Sequence, residues 1–315
     1  MENLYAGIDI GGTKTTVGLF QRDLTPVRVV TIPTLPAGGC ADLIDRVYAL
    51  YQTMLVQLGV PARTVQTLGV ASPGPLDLKT GRIIHIPTMG FRDEPLAELL
   101  ADRFGLPVSL EKDTNAAVLA EATFGAGKGC DPVVYVTIST GIGAGLYING
   151  GVVDGHAFAG GELGHMVVER KGRDCLCGSK GCLEMYASGT SIARIVSERL
   201  GRRVTAKEAF ALASAGNLTA SGVIVEAADY LGLALSAVYQ LLDPEIVILG
   251  GSVTKDYPVF RPFLHKALVR YLEPVKGRNP RVEVSSFNGL QVLLGAAYLG
   301  IIRASGAGHS ADNIS

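Results

Sequence analysis

Apolar and polar positions alternate along most of the chain in short runs bounded by turns. Residues 4–20 read as two apolar strands joined by a glycine turn, Gly11-Gly12-Thr13-Lys14. Residues 41–58 place Leu43, Ile44, Val47, Tyr48, Tyr51 and Leu55 at helical spacing, which predicts an amphipathic helix. Strands are expected at 67–71 and 82–86, split by the turn Ser72-Pro73-Gly74-Pro75. A helix at 95–104 and a short strand at 107–110 follow, then Glu111-Lys112-Asp113-Thr114-Asn115 and an alanine-rich helix. At residue 133 the opening pattern returns as strand, Ser/Thr/Gly turn over 137–143, strand. Two such hairpins point to a duplicated architecture. A long helix at 219–242 is expected to stop at Asp243-Pro244, because the residue before proline resists the helical conformation. An apolar strand at 246–249 then runs into Gly250-Gly251-Ser252. One more helix, a strand at 282–286 and a terminal helix at 291–302 complete the pattern. The small polar tail 306–315 is expected to fray. This order of strands and helices predicts two α/β domains with covered sheets.

Composition narrows the partners. The 315 residues are 48% hydrophobic and 18% charged, enough to bury substantial cores. The formal net charge of −1 gives no electrostatic case for nucleic acid or a membrane surface. No apolar run is expected to reach bilayer length. Met1-Glu2-Asn3-Leu4 lacks the basic and apolar regions of a signal segment, so a cytoplasmic location is expected. Of the five cysteines, three cluster with a histidine, which favours metal in a reducing compartment over disulfides. Cys130 stands apart and reads as a small core or surface thiol.

The cluster is the most specific chemical signal. His165, Cys175, Cys177 and Cys182 have the residue types and spacing of a closed tetrahedral zinc site. Glu162 and Glu184 flank it. The bland reading is a purely structural zinc knuckle; the sharper one is that the metal fixes a loop whose glutamates grip a ligand.

Neither glycine turn is a Walker loop or a dinucleotide fingerprint, since each continues into a strand and not a helix. Such turns still bind phosphate when backbone N–H groups converge on an anion and threonine hydroxyls add donors. Asp9, at the end of the first strand, is placed to hold a hydrated Mg2+. Either turn alone reads as an ordinary hairpin. Two of them, with Gly250-Gly251 after a third apolar strand, favour a nucleotide site.

Taken together, Asp9-x-Gly-Gly-Thr13, Thr137-x-x-Thr140-Gly-x-Gly143, Gly161-Glu162-x-Gly-His165, the Cys-x-Cys-Gly-x-x-Gly-Cys-x-Glu block and Leu249-Gly250-Gly251 resemble the ROK sugar kinases of the hexokinase–actin–Hsp70 superfamily. The resemblance covers nearly the whole chain in family order. It implies two ribonuclease-H-like (actin-like ATPase) domains around a cleft. The small domain would be 1–115 with a C-terminal helix at 289–305, and the large domain 116–288 with the zinc segment. ATP with Mg2+ would lie against Asp9, Gly11, Gly12, Thr13 and Lys14 and against Thr137, Thr140, Gly141 and Gly143, with the adenosine near Gly250 and Gly251. Asp113 falls on the catalytic base. Asp113, Glu162, His165 and Glu184 fall on sugar contacts, and His165, Cys175, Cys177 and Cys182 on the ligands of a structural Zn2+. A homodimer is implied by family analogy, with no nucleic acid or membrane partner.

The chemistry agrees with this reading. Phosphoryl transfer needs an aligned hydroxyl, a base for its proton and cations on the phosphates. Paired carboxylates suit the many hydroxyls of an uncharged sugar. Taken alone, Asp113 also reads as a helix N-cap.

Three positions depart from the family pattern. Lys112 stands where asparagine is common, Pro87-Thr88-Met89 where Pro-Asn-Leu is common, and Ser139 where glycine is usual. Lys112 and the segment Ser286-Phe287-Asn288-Gly289-x-Gln291 resemble the allose kinase branch, which makes Thr88 and Lys112 candidate sugar contacts. Lys112 alternatively reads as an ordinary solvated lysine. The implied activity is ATP-dependent phosphorylation of a free aldohexose at the 6-hydroxyl, with D-allose first and D-glucose next. The alternatives are an N-acetylhexosamine kinase and a sugar-sensing ROK-type transcriptional regulator. Such regulators carry a helix-turn-helix ahead of the first glycine turn, and a first strand at Leu4 is expected to leave no room for one.

Overall fold

The computed structural model describes residues 3–273 and 279–304, so the expectation for the tail 306–315 lies outside the described residues. The chain opens with β1 (Leu4–Ile10), β2 (Lys14–Phe20), β3 (Pro26–Pro33), α1 (Gly39–Leu58) and β4 (Val65–Ser72). Next come β5 (Leu76–Asp77), β6 (Arg82–Ile86), β7 (Phe91–Glu94), α2 (Leu96–Phe104), β8 (Val108–Lys112) and α3 (Asp113–Phe124). Then follow β9 (Val133–Ile138), β10 (Ile142–Ile148), β11 (Gly151–Val152), α4 (Glu184–Ala187), α5 (Gly189–Leu200), α6 (Ala206–Ser214) and α7 (Leu218–Leu242). The last are β12 (Ile246–Gly250), α8 (Tyr257–Leu272), β13 (Val282–Val284) and α9 (Gln291–Ala304).

Two compact units result. The first contains Met1–Phe124, Tyr147–Gly160 and the stretch from Leu290; the second contains Gly125–Leu146 and Gly161–Gly289. All of α3 falls in the first unit because it packs on α9 and β11, whereas the sequence placed a boundary at 115/116.

The first unit is built on a five-stranded sheet of order β3-β2-β1-β4-β8. β1, β2 and β3 form an antiparallel meander, and β4 and β8 extend it in parallel. The apolar stripe of α1 buries Leu43, Ile44, Val47, Tyr51, Met54 and Leu55 with Ile8, Leu68 and Val70 of the sheet. α1 then stops on Gly59 in the left-handed conformation (φ 64°), as helix C-termini commonly do. Paired Gly7 and Gly69 let α9 lie directly on the strands: a Cβ on Gly69 would sit 1.7 Å from the Ala296 carbonyl.

The second unit repeats that order. β10, β9, β12 and β13 are neighbours in one sheet, and β11 continues it from the far end of β10. β12 runs parallel to β9, and β13 parallel to β12. The duplicated hairpins of the sequence are therefore the first two strands of two sheets of like topology.

α7 corrects one expectation. Its 25 residues are long and apolar enough to cross a membrane by length and composition alone. Val223, Ile224, Ala227, Leu231 and Leu235 are buried, however, and α5, α6 and α8 pack around the helix. It is apolar on several faces because it runs through the core of the second unit.

Candidate active site

The candidate residues sit at strand ends and starts, in the loops between, and at the first residues of α3 and α4. In the first unit, Asp9 lies one residue before the end of β1. In the turn beyond it, the Gly11 N–H donates to the Lys14 carbonyl at 3.0 Å. A Cβ on Gly11 would lie 2.8 Å from that same oxygen, so the turn needs a residue without one. The buried hydroxyls of Thr15 and Thr34 pair at 3.0 Å, and Thr34 also donates to the Gly11 carbonyl, which fixes the base of the turn. Gly12, Thr13 and Lys14 are exposed above it. Thr88 is beside the turn, its hydroxyl 3.9 Å from the place a Gly12 Cβ would occupy.

Asp113 opens α3, and its Oδ1 accepts the Thr114 N–H at 2.7 Å. Burial, and secondly the Asp113 carboxylate, push Asp9 up to about 7, with Lys14 opposing. The strand-end carboxylate, the helix-start carboxylate and the turn lysine therefore share one electrostatic neighbourhood.

A buried polar network lies behind Asp113. Glu111 Oε1 accepts the Lys112 N–H at 2.8 Å and Asn115 Nδ2 at 3.2 Å. Asn115 Nδ2 also donates to Asp154 at 2.8 Å. Arg303 approaches Glu111 Oε2 at 3.6 Å and donates to the Leu110 carbonyl at 3.2 Å. Burial, and then Asp154, push Glu111 up to about 7. Lys112 is buried, not solvated, and its ammonium donates to the Gly160 carbonyl. Sequence reasoning passed over Glu111, Asn115 and Asp154. The available signal was an acid and an amide four residues apart across a strand-to-helix junction.

In the second unit, Thr137 lies one residue before the end of β9 and Gly143 early in β10, with Thr140 exposed and Gly141 partly exposed between them. The Ser139 N–H donates to the Gly141 carbonyl at 2.9 Å, and the Ser139 carbonyl accepts the Gly189 N–H at 2.8 Å. The Ser139 hydroxyl meets that of Ser252 at 3.2 Å, so the segment after β12 reaches this turn. Gly250 and Gly251 are demanded by packing on β9: a Cβ on Gly250 would lie 2.0 Å from the Tyr135 hydroxyl.

Gly161, Gly164 and the Glu184 carboxylate meet β10. Cβ atoms on Gly161 and Gly164 would lie 2.0 Å from the Ala144 carbonyl and 2.1 Å from the Ile142 carbonyl. These glycines let the segment carrying Glu162 and His165 lie flush on the strand. Glu184, at the start of α4, accepts the Ile142 N–H on Oε2 at 2.9 Å.

The His165, Cys175, Cys177 and Cys182 ligand atoms all fall within 4.8 Å of one another. His165 Nδ1 and Cys175 Sγ are 3.7 Å apart, and Cys177 Sγ and Cys182 Sγ 3.6 Å. A tetrahedron with arms of ~2.3 Å separates its corners by ~3.8 Å, so donor set and spacing both fit one zinc ion.

The profile of the ROK family matches residues 5–302. The chain belongs to the ROK family. It is 36% identical over 284 residues to a glucokinase of Thermotoga maritima, covering 85% of this chain and 88% of that one. A ROK hexokinase of Thermus thermophilus superposes with a TM-score of 0.84 at 33% identity, over 96% of this chain and all of that one. A ROK glucokinase of Streptomyces griseus, solved with glucose and AMPPNP, gives a TM-score of 0.83 at 29% identity, over 95% of this chain and 99% of that one. The fold class is accordingly α/β, with the actin-like ATPase fold of these ROK structures.

Proposed function

We propose that this ROK protein transfers the terminal phosphoryl group of ATP to the 6-hydroxyl of a free aldohexose, with Asp113 as general base. The protein is an ATP-dependent sugar kinase; the choice of hydroxyl, the base and the sugar belong to this reading. The observation that carries it is the shared neighbourhood of Asp113, Asp9 and the exposed turn at 11–14 in the first unit. A carboxylate for the proton and a backbone cradle for phosphate follow the ends of β8 and β1, two parallel strands of one sheet with β4 between them.

Each residue then has a defined task. Asp113, with Oδ1 held by the Thr114 N–H, accepts the hydroxyl proton and orients the attacking oxygen. The turn at 11–14, with the Lys14 ammonium, and the turn at 137–143 hold phosphate oxygens through backbone N–H groups and threonine hydroxyls. Asp9 is the residue to hold a hydrated Mg2+, which supplies charge neutralisation on the phosphates. Glu162, His165 and Glu184 offer acceptors to sugar hydroxyls. The four-residue Cys/His cluster takes a structural zinc, which holds the loop between β11 and α4 in shape.

D-Glucose and D-allose are the two leading substrates, with N-acetylhexosamines behind them. The hydrogen bond from Lys112 to Gly160 supports a lysine that shapes the loop entering the sugar-binding segment, which weakens the case for a hydroxyl reader specific to allose. The test is ADP release with ATP and a panel of free sugars that includes D-glucose, D-allose and N-acetylglucosamine. Hexose-dependent ADP release, with the phosphate on the 6-hydroxyl by NMR, is the expected result. Sugar binding without any ADP release would overturn the reading and leave the sugar-sensing regulator.

A further inference from the structure

One link between the Cys/His cluster and the turn joining β9 to β10 runs through a carboxylate. Cys182 is fully buried, and Glu184 follows it within the same turn of chain. Leu183, between them, donates its N–H to the Met166 carbonyl at 2.9 Å, and Val168 donates to the Gly181 carbonyl at 2.9 Å. The strand-like bridge of Val167 with Cys182 completes this lock. On its other side Glu184 is held by Ser191, whose hydroxyl donates to the Glu184 carbonyl at 2.6 Å. The carboxylate therefore projects from a fixed backbone.

It projects onto the turn between β9 and β10. Oε2 accepts the Ile142 N–H at 2.9 Å and would lie 2.4 Å from a Cβ on Gly141. The same short stretch of chain reaches that turn a second time, where the Gly189 N–H donates to the Ser139 carbonyl. Ile142 thus has its N–H oriented by a charged acceptor, the stronger class of hydrogen bond. With that bond in place, the geometry of the neighbouring Thr140 and Gly141 is set before any ligand arrives. Glu184 Oε1 makes no hydrogen bond among the described residues, so the same side chain can hold the turn and accept from a sugar.

We propose that Glu184 is a positioning residue for the turn at 137–143, a strut through which the Cys/His cluster sets nucleotide affinity. The proposal rests on the reading above in which this turn binds phosphate. The cluster, with its ion, fixes the backbone at Cys182; Cys182 fixes Glu184; Glu184 fixes the Ile142 N–H and with it the donors beside it. Loss of the metal then reaches the nucleotide without any contact between the two.

The measurement is the Kd of AMPPNP, by calorimetry on the full chain, for parent and Glu184→Ala, each with zinc bound and after chelation. Removing a hydrogen bond to a charged group should raise Kd about tenfold in either single change. Because both changes act through one link, the doubly altered protein should be no weaker than either alone. Glu184→Gln keeps an oxygen for the Ile142 N–H and should recover most of the affinity. Independent effects that multiply to about a hundredfold would overturn the proposal, as would nucleotide affinity that ignores Glu184→Ala while hexose affinity falls. If chelation unfolds the parent, the comparison of zinc-loaded Glu184→Ala with Glu184→Gln decides the matter by itself. Failure of the parent to bind AMPPNP at all would overturn the kinase reading, a result distinct from binding that ignores Glu184.

Discussion

The buried ammonium of Lys112 donates to the carbonyl of Gly160, the residue from which the chain enters Gly161 and Glu162. Gly160 in turn donates its N–H to the Asp154 carbonyl at 2.9 Å, and the Asp154 carboxylate accepts from Asn115. The junction of β8 and α3 therefore holds the loop at 153–160 at two points. Lys112→Asn is too short to reach Gly160. It should raise the hexose KM about tenfold, the effect of losing one charged hydrogen bond, with the ATP KM nearly unchanged. Adding Thr88→Asn tests allose reading directly: a shift of the allose-to-glucose kcat/KM ratio by about tenfold would make the pair specificity residues, and a fixed ratio would leave Lys112 as a loop clamp.

Asp113→Asn keeps an oxygen for the Thr114 N–H and so should preserve the start of α3 and the fold. It removes the proton acceptor. Turnover should drop by roughly a thousandfold, within the range of positioned base catalysis, with hexose affinity retained. Steady-state kinetics beside a thermal melt checks both halves. A variant within about threefold of the parent would remove Asp113 from the role of base.

The Cys/His cluster makes a stoichiometric prediction. Elemental analysis of desalted protein should give one zinc per chain, and Cys182→Ser should lose it. Since the four ligands lie in one loop system of the second unit, chelation should lower the melting temperature, as expected when binding free energy is folding free energy. Zinc-free protein with unchanged melting and activity would contradict the assignment.

Asp9 and Glu111 set a pH signature. Both titrate near 7 in the folded chain, above their ordinary values of 3.8 and 4.5. A carboxyl raised on folding binds its proton more tightly in the native state. Its stabilising effect is complete below about pH 4 and is lost as the pH rises through about 7. The melting temperature of the ligand-free protein should therefore fall between about pH 4 and 7 and level off above, each group giving at most about 1.4 kcal/mol per pH unit. Glu111→Gln, which keeps the acceptor for Lys112 N–H and Asn115, should flatten that slope. Parallel slopes in variant and parent would show that Glu111 does not titrate there.

Much of this was legible before any coordinates. The helical spacing of Leu43, Ile44, Val47, Tyr51 and Leu55 announced α1, because one face of a helix on a sheet must be apolar throughout. The two hairpins announced the repeated topology. β3 and β7 were not foreseen: β3 is an edge strand with no fully buried residue, and β7 has only Phe91 as an apolar position. β7 lacks the apolar signal on which strand recognition depends, whereas β3 carries Val27, Val29, Val30 and Ile32 without a clean alternation of buried and exposed positions. In the site, residue types and spacing were enough for the Cys/His cluster, whose ligands are close in sequence. The bonds joining Asn115 to Asp154, and Glu111 to Arg303, span loops whose course no local pattern encodes. The backbone partners of Lys112 and Glu184 were hidden for the same reason, since a backbone carbonyl or N–H leaves no mark in sequence.

The contact of α9 with β1, β4 and α3 bears on how the protein is made. Gly69 faces the Ala296 carbonyl, and Gly295 faces that of Ala116 so closely that a Cβ would lie 1.7 Å from it. The bare backbone of Gly7 and Gly69 offers α9 a groove in which it lies directly on the strands. During translation the strands of the first unit emerge early, yet their cover follows only after every residue of the second unit. The second unit, whose residues all precede Leu290, has its whole sequence available sooner. A ribosome-bound chain stalled before α9 should therefore carry a protease-resistant second unit and a first unit that is still open to cleavage, reversing the order in which the two began to appear.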